Sequence, residues 1–281
     1  MMVFVDRLTK VTSSQNSLLC VGLDPDLKRL PRCMRSDANP LFKFCSEIIA
    51  STNDLVASYK LNFAFFEAEG LNGWSALEKL MHIIPPSILT IADAKRADIG
   101  NSSLKYAESI LQRLNFDAVT VSPYMGEDSV RPFLQWPEKG AFILALTSNP
   151  GCRNFQHLQI NARPLYKKVV KETLKWNTRN NCGVVVGATH PDELDNIRNL
   201  APNLPFLIPG VGAQGGHLQE AVKYGTDRAG GLALISSSRG VIYKSNGTDF
   251  AEAARQEAEF LNKRINQYRE EKLRAAVEHD D

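Results

Sequence analysis

The chain has 281 residues, of which 43% are hydrophobic and 23% are charged, and its formal net charge is +2 at pH 7. These proportions are typical of globular proteins and exclude disordered, collagen-like and membrane-embedded chains. The balance of 33 basic against 31 acidic residues also argues against nucleic-acid binding, which usually depends on a strongly basic domain or stripe. One α/β barrel commonly takes about 250 residues, so a single large domain fits the length.

The first residues and the cysteines predict a cytoplasmic protein without membrane or nucleic-acid partners. Asp6 and Arg7 stand where a signal peptide needs its apolar stretch, and no apolar run approaches the roughly 18 residues of a membrane span. The five cysteines are scattered and form no CxxC pair. We therefore expect reduced thiols, and neither a disulfide framework nor a metal site.

Strands and helices are predicted to alternate eight times along the chain. Short apolar runs are typical of buried parallel strands, and we place these at Leu18–Leu23, Leu55–Leu61, Ile88–Ala92, Ala118–Val121, Phe142–Leu146, Gly183–Val186, Pro205–Ile208 and Gly231–Ile235. Helical periodicity follows each run, at Pro40–Ala50, Leu71–Ile83, Asn101–Leu114, Ser129–Trp136, Pro164–Leu174, Pro191–Leu200, Gln214–Tyr224 and Phe250–Ile265.

Eight such units without a long polar linker favour a single (β/α)8 TIM barrel over the alternative, a doubly wound sheet. Polar residues follow nearly every predicted strand, which is where barrel enzymes place their chemistry. We expect one domain over residues 1–281. Five basic and five acidic residues alternate in the last segment, about 262–281, which predicts a solvated helix or a frayed tail.

The third predicted strand leads into the segment with the most chemistry, which carries Asp93, Lys95 and Asp98. Residues two apart on a strand share a face, so Asp93 and Lys95 are expected to point the same way. Two charges in a barrel mouth are costly to desolvate without a purpose. We therefore favour a carboxylate–ammonium–carboxylate array that keeps Lys95 protonated as a proton donor, over a surface ion pair with a helix-capping aspartate.

Two later segments predict a phosphate site. Gly210, Gly212 and Gly215 have GxGxxG spacing, but no acidic residue follows about 20 residues on, so a dinucleotide fold is not favoured. Loops after the last two strands of a barrel often bind phosphate. We assign Gln214 and Arg239 as phosphate ligands, with hydroxyls such as Ser238 beside them.

Three other features bear on the chemistry of the site. The long connection from Leu146 to about Arg163 is typical of a lid. Lys60 ends the second predicted strand, where a lone lysine also suits a Schiff-base nucleophile. The five histidines show no HExxH motif or close pairing, so their spacing predicts no zinc site.

Seven segments in order resemble the orotidine 5′-phosphate decarboxylase family, in particular its longer-chain members. They span roughly residues 20 to 243 and are Val21-Gly-Leu-Asp, Tyr59-Lys-Leu-Asn, Asp93-Ala-Lys-Arg-Ala-Asp-Ile-Gly-Asn-Ser, Ser122-Pro-Tyr-Met-Gly-Glu-Asp-Ser, Thr147-Ser-Asn-Pro-Gly, Pro209-Gly-Val-Gly-Ala-Gln-Gly-Gly and Ser237-Ser-Arg-Gly-Val-Ile-Tyr. The resemblance implies a (β/α)8 homodimer with shared active sites. It also implies that the enzyme converts orotidine 5′-monophosphate (OMP) to uridine 5′-monophosphate (UMP) without cofactor or metal, as the last step of de novo pyrimidine biosynthesis.

The resemblance further implies roles for individual residues. Lys60, Asp93, Lys95 and Asp98 match the family's charged catalytic network. Lys95 would protonate C6 of the pyrimidine as carbon dioxide departs, and Asp93 would lie beside the departing carboxylate. Asp98 would reach into the partner subunit's site.

The implied substrate contacts come from several loops. Asp24 and Lys60 would hold the ribose hydroxyls, Ser148 would read the pyrimidine amide edge, and Pro209 would line the base or carboxylate pocket. The other implied contacts are Ile99 and Ser102 beside Asp98, Ser238 near the phosphate, and Gln214 and Arg239 on the phosphate itself.

The chain departs from the family's pattern at two positions. Ser102 stands where threonine is frequent, and its hydroxyl is retained; Ala97 stands where glycine is common. Rival interpretations are a metal-dependent decarboxylase or synthase of the same superfamily, a Schiff-base aldolase, and a catalytically silent phosphate-binding barrel. The metal-dependent enzymes resemble one another in a glutamate ligand at the end of strand two, where Lys60 would repel a divalent ion.

Overall fold

Eight parallel strands close into a barrel in the computed structural model, which describes residues 2–211 and 217–280. The strands in chain order are β1 (Leu19–Leu23), β2 (Ser58–Asn62), β3 (Leu89–Arg96), β4 (Ala118–Val121), β5 (Gly140–Leu146), β6 (Gln159–Ile160), β7 (Arg163–Pro164), β8 (Cys182–Val186), β9 (Phe206–Pro209) and β10 (Ala233–Ser237). Strands β6 and β7 form a separate antiparallel pair. Strand β1 pairs with both β2 and β10, so the sheet closes and the predicted barrel is confirmed over a doubly wound sheet.

Helices surround the barrel and mostly follow the predicted segments. They are α1 (Phe4–Ser14), α2 (Pro40–Thr52), α3 (Phe63–Glu67), α4 (Gly70–Ile83), α5 (Gly100–Ala107), α6 (Glu127–Val130), α7 (Leu165–Trp176), α8 (Pro191–Leu200), α9 (Leu218–Gly225), α10 (Arg239–Ile242) and α11 (Phe250–Asp280). The segment Glu108–Arg113 continues α5 as a π-helix, and Arg131–Leu134 continues α6 as a 3-10 helix. The predicted start of α9 at Gln214 lies outside the described residues.

Three helices were not predicted, namely α1, α3 and α10. Helices α3 and α10 have five and four residues, too few for a helical period to show in the sequence. Helix α1 places Phe4, Leu8 and Val11 on one buried face. These side chains pack with the residues that fill the barrel interior, and Phe4 meets Phe142 edge-on at 5.9 Å.

The barrel therefore has a closed end and an open end. Helix α1 covers the amino-terminal end of the strands, since its N-terminal backbone bonds to the loop before β5 (Phe4 N to Pro137 O, 2.8 Å). A second, larger core lies between the strands and the surrounding helices. The carboxyl ends of the strands remain free for binding and chemistry.

The last segment continues the helix, because α11 extends to Asp280. Its inner face packs through buried residues such as Ala254, Ala258 and Ile265. All five cysteines are free, as expected, and four of them are buried. Within residues 2–211 and 217–280, no helix combines the length and the apolar character that crossing a membrane requires.

Candidate active site

A cavity of about 400 Å³ opens at the carboxyl ends of the strands. It collects most of the residues that the sequence singled out: Asp24, Lys60, Asp93, Lys95, Ser148, Pro209, Ser238 and Arg239. Neighbouring strands supply these side chains, as expected when parallel strands all end on one side of a barrel. The predicted location of the site at the barrel mouth agrees with this arrangement.

A row of alternating charges crosses the cavity floor. The Lys60 Nζ lies 2.8 Å from Asp93 Oδ2 and 3.9 Å from Asp24 Oδ1. The Lys95 Nζ lies 2.5 Å from Asp93 Oδ1. The Lys60 side chain is only 7% exposed, whereas that of Lys95 is 51% exposed. The array therefore has a buried end that is fixed by packing and an accessible ammonium at the other end.

The array shifts the pKa of its two inner members in opposite directions. Burial opposes the charged form of Lys60, but Asp93 and Asp24 outweigh burial and raise the Lys60 pKa above its usual value. Burial also opposes the charged form of Asp93, but Lys60 and Lys95 outweigh it and hold the Asp93 pKa below its usual range. The Asp93 contribution to stability is lost as the pH falls below about 4, and the Lys60 contribution as it rises above about 10. Both groups are thus charged at neutral pH.

Lys95 has an unusual backbone for a non-glycine residue, with φ at +47°. The register between β3 and β4 shifts between Ala92 and Arg96, yet Asp93 and Lys95 both line the cavity, as predicted. Thr120 stabilises this geometry: it accepts a hydrogen bond from the Lys95 N–H (3.0 Å) and donates one to Asp93 Oδ1 (3.1 Å). Left-handed backbone at a non-glycine residue carries strain and is concentrated at functional sites.

Asp24 is held by the last βα loop. Ser238 donates a hydrogen bond to Asp24 Oδ2 at 2.6 Å, and Tyr243 donates one to the Asp24 carbonyl at 3.2 Å. The Asp24 Oδ1 is buried without a hydrogen-bond partner among the described residues. It is therefore an acceptor that a ligand hydroxyl can use.

Asp98 stands apart from the array within one chain, contrary to the expectation that Asp93, Lys95 and Asp98 meet. It is not among the residues that line the cavity, and its Oδ1 accepts from the N–H of Ile99 at 2.8 Å. Ile99 is 57% exposed, and Ser102 is also exposed at the start of α5. The four-charge row of one chain instead ends in Asp24, which lies beside Lys60 at the end away from Lys95.

Three of the residues predicted to bind the base and the phosphate also line the cavity. Ser148 and Pro209 line it, and Arg239 enters it from the first position of α10. Gln214 lies outside the described residues. Asn62, Thr120, Thr147 and Asn149 line the cavity too and were not predicted. Asn62 and Thr147 directly follow predicted strands, Thr120 lies one residue before the end of one, and Asn149 comes three residues after one, so nearness to a strand end was the available signal.

The β5–α7 connection, residues 147–164, contributes Thr147, Ser148 and Asn149 to the lining of the cavity. It contains a 3-10 turn, Pro150–Asn154, and the β6–β7 hairpin. Gln156 folds back to accept from the Thr147 N–H at 2.8 Å and to donate to the Thr147 hydroxyl at 2.9 Å. These two hydrogen bonds fix Thr147, the residue before Ser148, against the middle of the connection.

A larger cleft of about 1040 Å³ lies outside the barrel mouth, beside Tyr243. Its lining carries the basic residues Lys28, Arg29, Arg32, Arg35 and Lys244. It holds no acidic side chain among its lining residues and thus no alternating array. The paired, buried charges lie in the smaller cavity, which is therefore the candidate active site.

Comparisons with known proteins identify the family of the chain. The family model for orotidine 5′-phosphate decarboxylase / HUMPS matches residues 17–256. The chain is similar to the orotidine 5′-phosphate decarboxylase of Dehalococcoides mccartyi, at 47% identity over 95% of this chain and 99% of that protein. It is also similar in structure to the OMP decarboxylase of Leishmania donovani, with a TM-score of 0.83, 39% identity, and coverage of 95% of this chain and 99% of the other.

The UMP synthase of Leishmania donovani matches with a TM-score of 0.86 and 39% identity. The match covers 96% of this chain but only 57% of that chain, so this chain spans little more than half of that protein. The family match over most of the length, with the 47% identity to a full-length relative, shows that the chain belongs to the orotidine 5′-phosphate decarboxylase / HUMPS family.

Proposed function

We propose that the chain decarboxylates OMP to UMP, the last step of de novo pyrimidine biosynthesis, with its own side chains and no cofactor. The observation that carries the proposal is the Asp24–Lys60–Asp93–Lys95 row in a cavity that opens at the barrel mouth. Family membership supports the same reaction. Lys60 fills the space between two carboxylates with an ammonium, which disfavours a divalent ion there and the metal-dependent alternative.

Asp93 and Lys95 are assigned the chemical step. Asp93 is charged at neutral pH, so it repels a substrate carboxylate placed beside it, and this repulsion disappears as the carboxylate leaves as carbon dioxide. The bond between C6 and the carboxyl carbon breaks, and its electron pair stays at C6. Lys95 then donates a proton from its Nζ to C6, which forms the new C–H bond of UMP.

The remaining residues are assigned to binding. Asp24 Oδ1 and Lys60 face the ribose hydroxyls, and Ser148 faces the amide edge of the pyrimidine. Pro209 lies against the base or its carboxylate, and Arg239 binds the phosphate with Gln214, close to Ser238. None of the ribose and phosphate contacts touches the reacting bond, so their binding energy is available to confine the charged carboxylate against Asp93.

We also propose a homodimer in which Asp98 acts in the partner subunit's site. Asp98 does not line the cavity of its own chain, and exposed apolar residues surround the same end of the barrel. Ile99 is 57% exposed, Tyr124 83% and Met125 43%, and the Ser122 N–H joins their two loops by donating to the Arg96 carbonyl. An apolar patch rimmed by polar groups is typical of a protein interface. Ile99 and Ser102 are then placed beside Asp98 at the second site.

A cytoplasmic location is part of the same proposal. The cysteines are all free, and burial raises the pKa of the Cys182 thiol to about 12. Unpaired thiols are typical of a reducing compartment.

Removal of Arg239 tests both the reaction and the phosphate assignment. We expect the wild-type chain to consume OMP far faster than orotidine, which lacks the phosphate. Arg239→Ala should lower kcat/KM for OMP about 100-fold, because a charge-assisted, bidentate contact is lost, and should change it less than about threefold for orotidine. Initial rates with both substrates measure this difference.

The matched control is Arg274→Ala, which removes an exposed arginine of α11 far from the cavity. It should leave both rates unchanged. Equal losses on OMP and orotidine in Arg239→Ala would remove Arg239 from the phosphate site. A wild-type chain that consumes neither compound would refute the proposed reaction.

A further inference from the structure

Three potential metal ligands meet where the β5–α7 connection contacts the start of α8, and none of them lines the active-site cavity. Cys152, His157 and His190 each offer one ligand atom, and these atoms all lie within 4.8 Å of one another. The Cys152 Sγ lies 3.9 Å from His190 Nε2. Cys152 and His190 are 38 positions apart in the chain, so no motif spacing marks the cluster in the sequence.

His157 has a ring nitrogen whose hydrogen-bonding capacity is unused in the part of the chain that the structure describes. Its Nε2 is buried and has no hydrogen-bond partner among the described residues. The ring is held in place by Tyr166, edge-on at 5.6 Å, and by His190, at 5.8 Å between ring centres. A buried ring nitrogen without a partner is costly, and a bound cation is one way to satisfy it.

We propose that Cys152, His157 and His190 bind a soft divalent metal ion of the zinc class. One thiolate and two imidazoles are ligands that Zn²⁺ prefers, and small side-chain movements suffice to bring three atoms from within 4.8 Å to a common ion. Binding replaces the thiol proton of Cys152, which leaves to solvent, with a sulfur–metal bond. Three protein ligands leave a fourth position of the tetrahedron for water.

The site would tie the β5–α7 connection to the start of α8. Cys152 lies in the 3-10 turn, His157 follows in the same connection, and His190 immediately precedes α8. His190 Nε2 is also 3.2 Å from the carbonyl oxygen of Thr147, the residue before Ser148. A metal ion on this nitrogen would take the place of that hydrogen bond, so binding is expected to be felt at the cavity wall.

Cobalt(II) substitution tests the site without relying on catalysis. The exposed Cys33 is first removed by C33S, so that an exposed thiol outside the cluster does not bind the metal. Chelator-treated C33S protein should bind one Co²⁺ per chain, with a thiolate-to-cobalt charge-transfer band, and one Zn²⁺ should displace it. C33S/C152S should lose the band. C33S/H157N and C33S/H190N should bind Zn²⁺ about tenfold or more weakly.

C33S/H82N is the matched control, since His82 lies on α4 outside the cluster, and it should bind as the C33S parent does. Trypsin cleavage after the exposed Arg153 should slow in Zn²⁺ for C33S but not for C33S/C152S. If C152S does not fold, as judged by thermal unfolding, the H157N variant carries the same comparison. Absence of the band in C33S, or a band that survives the loss of Cys152, would overturn the proposal.

Discussion

Lys95→Ala is expected to abolish turnover while nucleotide binding remains measurable. The variant removes the ammonium that lies 2.5 Å from Asp93 and reaches the open part of the cavity. Without a proton donor the carbanion at C6 cannot be quenched as it forms, so kcat should fall on the order of 10⁴-fold or more. The Lys95 side chain is half exposed and Lys60 still neutralises Asp93, so the fold and UMP affinity should change little.

Steady-state rates and UMP titration measure the two halves of this prediction. Lys168→Ala serves as the control, because Lys168 is an exposed lysine of α7 that pairs with the surface residue Glu172. It should keep full activity. Turnover above about 1% of the wild-type value in a folded Lys95→Ala protein would show that another group supplies the proton.

Mixing two inactive variants is expected to restore activity, if Asp98 completes the partner subunit's site. Asp98→Asn and Lys95→Ala are each expected to be inactive as homodimers. In a mixed dimer one site combines an intact Lys95 with the intact Asp98 of the other chain, and the second site carries both defects. Random exchange of equal amounts gives half mixed dimers, so about a quarter of wild-type activity should return.

The measurement is turnover after the two proteins have been mixed and allowed to exchange subunits. Mass spectrometry of differently tagged chains confirms that exchange has taken place. Mixing Lys95→Ala with Asp93→Asn is the control: both changes lie in the row of one chain, so no recovery is expected. Confirmed exchange without recovery in the first mixture would place Asp98 outside the shared site.

The sequence predicted the barrel well because parallel strands are buried on both faces and show as apolar runs. All eight predicted runs form strands, and their ends lie within three residues of the predicted ends in every strand but β3. Strand β3 ends at Arg96, four residues beyond the predicted end at Ala92. That extension includes Lys95, whose positive φ and the register shift beside it were not predicted. A two-residue period carries no information about such a strained position.

The sequence predicted which residues stand at strand ends, but not which of their side chains contact one another. Asp93, Lys95 and Lys60 each stand at a predicted strand end, so their convergence follows from barrel geometry. The contact between Ser238 and Asp24 joins residues 214 positions apart, which no local pattern shows. The separation of Asp98 from Asp93 depends on how the chain turns after β3. The single domain over residues 1–281 and the roles of the individual residues stay predictions.

The most direct test of the central claim is the ultraviolet absorbance of OMP incubated with the purified protein in EDTA. A fast loss of the OMP signal, with UMP formed in equal amount, is the predicted result. Such a result would show that the chain's own charged row decarboxylates OMP without a divalent ion. A folded protein that leaves OMP unchanged in EDTA, and acts only when magnesium is added, would contradict the account.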